Sequence, residues 1–311
     1  MNIVAAIDIG GTNTVYGLTD EQGKILSQNS VLTKNFPEPK KLIDIVTNGL
    51  HQQIANCKLP TANLVGIGIG APNGNYFTGA IEFAPNLQWK GVVALAKYFS
   101  DALGCKAVLT NDANAAALGE MIFGGAKGMK DFIFITIGTG LGSGIVVNGE
   151  MVYGHDGFAG EIGHVIIIPD GRQCGCGRKG CVETYCSATG IVTTFLSRVM
   201  NQESRIKSID AKYIYELAQQ GDKIAIDSFN YTGEILGIAL ANSVAYTSPE
   251  AIFLFGGLAN AGRFIFEPTK KSFEDNLLNI YKGKIKILPS QLKANEAAIL
   301  GAASLIWKEL K

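Results

Sequence analysis

Histidine is scarce: there are three in 311 residues, at positions 51, 155 and 164. That leaves little material for a Ser-His-Asp hydrolase, and no Gly-x-Ser-x-Gly elbow is present to hold a nucleophile. Net charge is also missing. Lys+Arg and Asp+Glu balance at 27 each, so no global basic field points to nucleic acid or to an anionic membrane. The opening Met1 to Gly11 has no basic leader, and Asp8 interrupts its apolar stretch, which argues against a signal peptide. The longest uncharged run of note, Phe132 to Val147, is full of Gly and Thr and too short to span a bilayer. A P-loop needs Gly-Lys-[Ser/Thr], yet both Gly-Lys pairs, Gly23-Lys24 and Gly283-Lys284, precede isoleucine. Six cysteines in a chain this long make no disulfide scaffold, although three crowd between 174 and 181. Disorder is excluded by 47% hydrophobic and 17% charged residues. These absences leave a soluble, cytoplasmic protein, and its length suggests two domains.

Glycine is what the chain has in excess. Its 38 glycines are about 12% of the residues, against a usual share of about 7%. Such an excess implies many turns and close approaches of backbone to a ligand. The first segment, Ile3 to Ile9, reads as a buried strand ending at Gly10-Gly11. Thr14 to Thr19 and Lys24 to Leu32 follow as a hairpin around Asp20-Glu21-Gln22-Gly23. Helical spacing marks Pro37 to Asn56, Val92 to Leu103 and Ala113 to Phe123, with strands at Leu64 to Gly70 and Ala107 to Thr110. Near residue 131 the pattern restarts. Phe132 to Ile137 is a strand running into Gly138-Thr139-Gly140, and a second hairpin turns at Asn148-Gly149, a type I′ signal. Helical sequence is expected from about 181 to Tyr246. Strands follow at Ala251 to Phe255, ending in Gly256-Gly257, and at Ile285 to Leu288, before a closing helix from Asn295 to Leu310. Two similar strand–glycine–hairpin openings imply a duplicated α/β domain with a cleft between the halves. The expected boundaries are 1–124 for the smaller domain, with helix 295–311 packing back on it, and 125–294 for the larger.

Each glycine loop has a chemistry to offer. In Asp8-Ile9-Gly10-Gly11-Thr12-Asn13, backbone N–H groups, a hydroxyl and a carboxylate share one strand end, the makings of an anion nest. Asp8 could hold hydrated Mg²⁺, which favours few carboxylates and retained water. Gly138-Thr139-Gly140-Leu141-Gly142-Ser143-Gly144 repeats the pattern. Either loop alone reads equally well as a tight turn; two at equivalent points of a repeat favour phosphate. A dinucleotide fingerprint should open a helix, whereas both loops lead into hairpins.

Asn111-Asp112 follows a short strand and precedes an alanine-rich helix. Asp112 is suited to accept a proton from a bound hydroxyl, and the plainer alternative is a helix N-cap. Asn73 and Asn86 lie in polar turns whose amides could serve sugar hydroxyls or simply the turns themselves. His164 is followed ten residues later by Cys174-Gly175-Cys176-Gly177-Arg178-Lys179-Gly180-Cys181. Three cysteines and one histidine satisfy tetrahedral Zn²⁺, and a closed set of four implies a structural ion. Cys57, Cys105 and Cys186 read as ordinary packed thiols.

The Asp8–Asn13 stretch resembles the phosphate-binding opening of the ROK family of sugar kinases and repressors. Glu161-Ile162-Gly163-His164 with Cys174, Cys176, Cys181 and Glu183 is similar to that family's signature and zinc motif in order and spacing. The ordered motifs run from residue 8 to about 301. The resemblance implies the actin-like/hexokinase ATPase fold, an α/β fold of two RNase H-like domains. It implies an ATP-dependent hexose kinase, most readily a glucokinase, with kinases for N-acetylmannosamine, N-acetylglucosamine or fructose as alternatives. Mg·ATP would meet Asp8, Gly10, Gly11, Thr12 and Asn13 from one domain and Gly138, Thr139 and Gly140 from the other, with Gly256 and Gly257 near the nucleoside. The sugar would lie against Asn86, Asn111, Glu161, His164 and Glu183, with Asp112 as catalytic base. Zn²⁺ would sit on His164, Cys174, Cys176 and Cys181. Asn73-Gly74-Asn75 departs from the Pro-Gly-hydrophobic-Asp run frequent in the family's bacterial glucokinases, which bears on the choice of sugar. The family's repressors carry an additional N-terminal helix-turn-helix domain, for which a phosphate-binding strand beginning at Ile3 leaves no room. No nucleic-acid or membrane partner is expected, and the resemblance implies a homodimer or homotetramer.

Overall fold

A computed structural model describes residues 1–57, 63–199 and 209–310. The chain divides into two compact units. The first takes in Met1–Met129, Met151–Gly160 and the segment from Gln291 onward; the second takes in Lys130–Glu150 and Glu161–Ser290. Among the described residues no helix is long and apolar enough to cross a membrane.

The first unit begins with β1 (Ile3–Ile9), an almost fully buried β-branched run. The chain reverses through residues 10–12 into β2 (Asn13–Asp20), antiparallel to β1 with Ile9 opposite Thr14. β3 (Ile25–Leu32) completes the meander. Pro39 opens α1 (Pro39–Asn56), where its missing N–H costs nothing, and the stripe Leu42, Val46, Leu50 and Ile54 is buried. β4 (Leu64–Gly70) then pairs with β1 on its other side, in parallel. β5 (Gly74–Asn75), β6 (Ala80–Glu82) and β7 (Val92–Val93) form a small separate sheet. The helix expected from Val92 therefore starts later. Val92 and Val93 pair with Glu82 and Ile81, a β-branched dipeptide taken into a sheet, and α2 runs only from Leu95 to Leu103. β8 (Ala107–Thr110) lies parallel beside β4, and α3 (Asp112–Ile122) follows. The sheet order is β3-β2-β1-β4-β8. Its three parallel strands β1, β4 and β8 end on one edge, the edge at which open α/β sheets place ligands.

The second unit repeats this plan. β9 (Phe132–Ile137) and β10 (Leu141–Val147) form an antiparallel pair with Ile137 opposite Leu141. β11 (Glu150–Met151) follows a turn in which Asn148 has φ 54° and Gly149 φ 78°, the two left-handed residues of a type I′ turn. Then come α4 (Glu183–Cys186), α5 (Ala188–Leu196), α6 (Ala211–Gln219) and α7 (Lys223–Thr247). Residues 200–208 of the expected helical stretch lie outside the described residues. β12 (Ala251–Phe255), α8 (Arg263–Asn276) and β13 (Lys286–Pro289) complete a sheet ordered β11-β10-β9-β12-β13. Each unit thus has a central strand flanked by an antiparallel hairpin on one side and parallel strands on the other. The internal repeat read from the two glycine loops is real.

The last helix, α9 (Ala297–Glu309), belongs to the first unit and packs on β1, β4 and α3. Every residue from Ile299 to Trp307 is buried. Its approach depends on glycine: a Cβ on Gly68 in β4 would collide with the Ala302 carbonyl, so helix backbone lies directly on the sheet. At the end of α3 the buried carboxylate of Glu120 accepts N–H bonds from Gly125 at 2.7 Å and Gln291 at 2.9 Å, tying α3 to the segment that leads into α9.

Candidate active site

In the first unit the parallel strand ends bring the candidate acids together. Asp8 is the penultimate residue of β1, and Gly70, its partner on β4, has no side chain to fill the space beside it. A Cβ there would stand 3.0 Å from Asp8 Oδ1 and 3.7 Å from the Asp112 Cα, so an unsubstituted strand end leaves room for two acids. Loss of hydration, and secondarily the neighbouring Asp112 charge, pushes the Asp8 carboxyl up to about 7. Asp112 is also raised by its dense protein surroundings, opposed by backbone N–H donation. Water still reaches the exposed Asp112 side chain, which tempers that rise. Two carboxylates that disfavour each other's ionisation form a site whose charge a cation or a bound proton relieves.

The helix cap at this point is Asn111, not Asp112. The Asn111 Oδ1 accepts the Ala113 N–H at 2.9 Å, and Asp112 stands inside the first turn of α3 with its Oδ1 2.8 Å from the same donor. The capping duty thus falls on the neighbour.

Gly10 and Gly11 form the turn after β1, closed by the Gly10 N–H on the Asn13 carbonyl at 2.8 Å. A Cβ on Gly11 would come within 2.7 Å of the Asn86 carbonyl. The loop expected to hold phosphate therefore lies against the turn expected to hold sugar. Asn86 is displayed because its neighbours are pinned: Leu87 and Trp89 are buried, and the Trp89 Nε1–H donates to the Phe36 carbonyl at 2.9 Å. Asp8, Gly11, Asn86, Asn111 and Asp112 are thus gathered at one side of the first unit.

In the second unit Gly138–Gly140 links β9 to β10, and Gly256-Gly257 follows β12, the parallel neighbour of β9. Gly256 has φ 107° and lies so close over the Ile137 carbonyl that a Cβ would sit 2.5 Å from it. Both glycine turns are therefore side by side at this unit's strand ends. Glu183, at the start of α4, accepts the Leu141 N–H on Oε2 at 2.9 Å, and its Oε1 lies 3.9 Å from Cys174 Sγ. One carboxylate joins the glycine loop to the cysteine cluster.

The cluster is assembled. One ligand atom each from His164, Cys174, Cys176 and Cys181 lies within 4.8 Å of all the others. His164 Nδ1 is 3.7 Å from Cys174 Sγ, and Cys176 Sγ is 3.6 Å from Cys181 Sγ. A tetrahedron built on Zn–S of about 2.3 Å and Zn–N of about 2.0–2.1 Å has edges of roughly 3.6–3.8 Å. The donor set therefore fits zinc in kind and spacing. The Arg178 backbone N–H and guanidinium bring the exposed Cys176 thiol down to about 6, ready to ligate as thiolate, whereas burial pushes Cys181 up to about 12. Glu161 opens the short 3₁₀ turn Ile162–His164, and its carbonyl accepts the His164 N–H at 3.0 Å.

Arg172 organises this region and carried no signal in the sequence. Its guanidinium donates to the Thr184 and Gly190 carbonyls and to Thr194 Oγ1, and it stacks 4.5 Å from the centre of the Tyr185 ring. These contacts bind the cysteine loop to α4 and α5. A lone arginine in a glycine-rich loop has no local pattern to reveal such partners.

The sequence pattern of the ROK family matches residues 4–309. The chain belongs to the ROK family. This ROK chain is 34% identical to the glucokinase of Streptomyces coelicolor, over 98% of both chains. Among solved structures it is similar to a ROK family glucokinase from Streptomyces griseus in complex with glucose and AMPPNP, with a TM-score of 0.81, 33% identity and 98% of this chain covered against 99% of that one. Its two sheets are those of the actin-like ATPase fold. It is also 30% identical to the xylose repressor of Bacillus subtilis, over 96% of this chain and 76% of the repressor.

Proposed function

We propose that this ROK protein transfers the γ-phosphoryl group of ATP to glucose, giving glucose 6-phosphate. It is an ATP-dependent sugar kinase; glucose is the finer reading. The observation that carries it is the end-to-end likeness to glucokinases, one of them holding glucose and AMPPNP in its solved structure. The alternative sugars are N-acetylmannosamine, N-acetylglucosamine and fructose. A sugar-responsive repressor is the alternative of a different class; the higher identity to the glucokinase, 34% against 30%, and a balanced charge that does not favour DNA support the kinase.

In this reading Asp112 orients the attacking hydroxyl and takes its proton. It need be only a weak base, because phosphoryl transfer has a loose transition state governed by position and charge. Asn86, Asn111, Glu161, His164 and Glu183 hold the sugar. With Nδ1 of His164 facing Cys174, Nε2 is the ring atom left to donate to a hydroxyl. Gly10–Asn13, Gly138–Gly140 and Gly256-Gly257 receive ATP, and Asp8 holds its Mg²⁺, which when bound neutralises phosphate charge. Zn²⁺ on His164, Cys174, Cys176 and Cys181 supplies structure, fixing the loop that presents Glu161 and Glu183. The protein works in the cytoplasm, where ATP is available, as a homodimer or homotetramer.

A coupled assay of ADP release across a panel of hexoses and N-acetylhexosamines tests the reading. Glucose should give the highest kcat/KM; a preference of tenfold or more for another sugar, about 1.4 kcal/mol, would replace it.

A further inference from the structure

The second glycine loop is held from one side by the start of α5. The Ala188 N–H donates to the Gly138 carbonyl at 2.8 Å, and the Thr189 hydroxyl donates to the Thr139 carbonyl at 2.9 Å. Because the peptide unit is planar and trans, a carbonyl drawn one way sends the following N–H the other way. Fixing the carbonyls of 138 and 139 toward α5 therefore aims the N–H groups of Thr139 and Gly140 together away from it. Two successive N–H groups aimed alike are what an anion nest requires.

The Thr189 hydroxyl is itself held. Its Oγ1 lies 2.9 Å from Ser187 Oγ, and the Gly190 N–H donates to Ser187 Oγ at 3.0 Å. Thr189 spends its single proton on the Thr139 carbonyl, so Ser187 must be the donor between the two hydroxyls. The bonds then run in one sense, from Gly190 N–H to Ser187, to Thr189, to the carbonyl of Thr139, and each polarises the next. Ser187 is buried, so its orientation is not free to change. On the opposite flank the Leu141 N–H is tied to Glu183.

We propose that Ser187 and Thr189 are positioning residues: their hydroxyl chain sets the peptide planes of residues 138–140 so that two N–H groups face a nucleotide phosphate. This rests on the assignment of the loop to ATP, and it adds residues that act through the backbone of that loop. Glycine makes the loop pliable, and the hydroxyls supply the rigidity that glycine lacks.

The test is calorimetric titration with Mg·AMPPNP in the presence of glucose, together with steady-state KM values for ATP and glucose. Thr189→Val should weaken AMPPNP binding and raise the ATP KM by roughly three- to tenfold, the range expected for one lost hydrogen bond. Thr189→Ala, a second variant without the hydroxyl, should match it. Thr189→Ser should restore wild-type values to within about twofold, and the glucose KM should stay within about twofold in all three. Hydroxyl-free variants that bind AMPPNP as wild type does would overturn the relay alone. A wild-type protein without AMPPNP affinity would overturn the nucleotide assignment of the loop, and the relay with it. Equal rises in both KM values, unrescued by serine, would show a general structural lesion and also refute it.

Discussion

Replacing Asp8 with asparagine should make the first unit more stable while it disables the enzyme, and the gain should depend on pH in one direction only. In the folded protein the Asp8 carboxyl is pushed from its ordinary 3.8 to about 7. A raised pKa means that the folded chain holds the proton more tightly than the unfolded one. The stability this confers is complete below about pH 3.8 and is lost as pH climbs through about 7. Asparagine has no proton to lose and escapes that decline. The difference spans roughly three pH units, which at about 1.4 kcal/mol per unit sets a ceiling of about 4 kcal/mol. Asp8 is half-buried rather than dry, and screening by water brings the expected gain at pH 8 to about 1–2 kcal/mol. Urea unfolding at intervals from pH 4 to 8, with EDTA present, measures it. Both tryptophans, Trp89 and Trp307, are buried in the first unit, so their fluorescence reports the unit that contains Asp8. The stability gap should open with rising pH and level off above about 7. Added Mg²⁺ should narrow it by favouring the ionised form. A gap that does not change with pH, or an Asp8→Asn protein less stable than wild type at pH 8, would refute the reasoning.

Asp112→Asn should lower kcat by a factor of about 10²–10⁴, the usual worth of a general base, while calorimetry shows glucose affinity largely intact; turnover within a few-fold of wild type would remove Asp112 from the chemistry. Gly11→Val places a branched side chain where even a Cβ would stand 2.7 Å from the Asn86 carbonyl. Both the ATP KM and the glucose KM should rise, since the loop and the turn must part, and unchanged kinetics would dissociate them from the site. Cys176→Ala should lower zinc content, about one ion per chain in wild type for a closed set of four ligands, and weaken glucose binding more than AMPPNP binding. A metal-free native protein with full activity would defeat both the ligand assignment and its coupling to Glu161 and Glu183.

The features legible in the sequence are those whose physical cause is local. β1, β4, β9 and β12 announce themselves as β-branched and apolar runs stopped by glycine, and Asn148-Gly149 signals its own turn. The cysteine cluster was legible because chelation by neighbours within a loop requires close spacing, and the four donors do converge. Contacts made across the chain left no trace. Arg172 draws its partners from residues 184 to 194, and Glu120 reaches Gln291. The hydroxyl of Thr189 reaches back fifty residues to Thr139. Val92 and Val93 depart from the helical expectation for the same reason: apolar spacing continuous with a helix says nothing of the strand waiting beside them.

The place of α9 has a consequence for how the protein is made. The sheet face formed by β1 and β4 is covered by a helix that the ribosome produces only after the whole second unit. Until then Gly66 and Gly68 offer a bare apolar surface with nothing to lie on it, while the strands from β9 to β13 already have every partner they need. The unit that begins the sequence should therefore be the last to mature. For the time it takes to translate some 170 residues, at about 5–20 residues per second, its open face is the part of the nascent chain most in need of a chaperone. A nonsense codon ahead of Ala297 would leave that face uncovered for good, and damage near the end of the reading frame would be felt at Asp8.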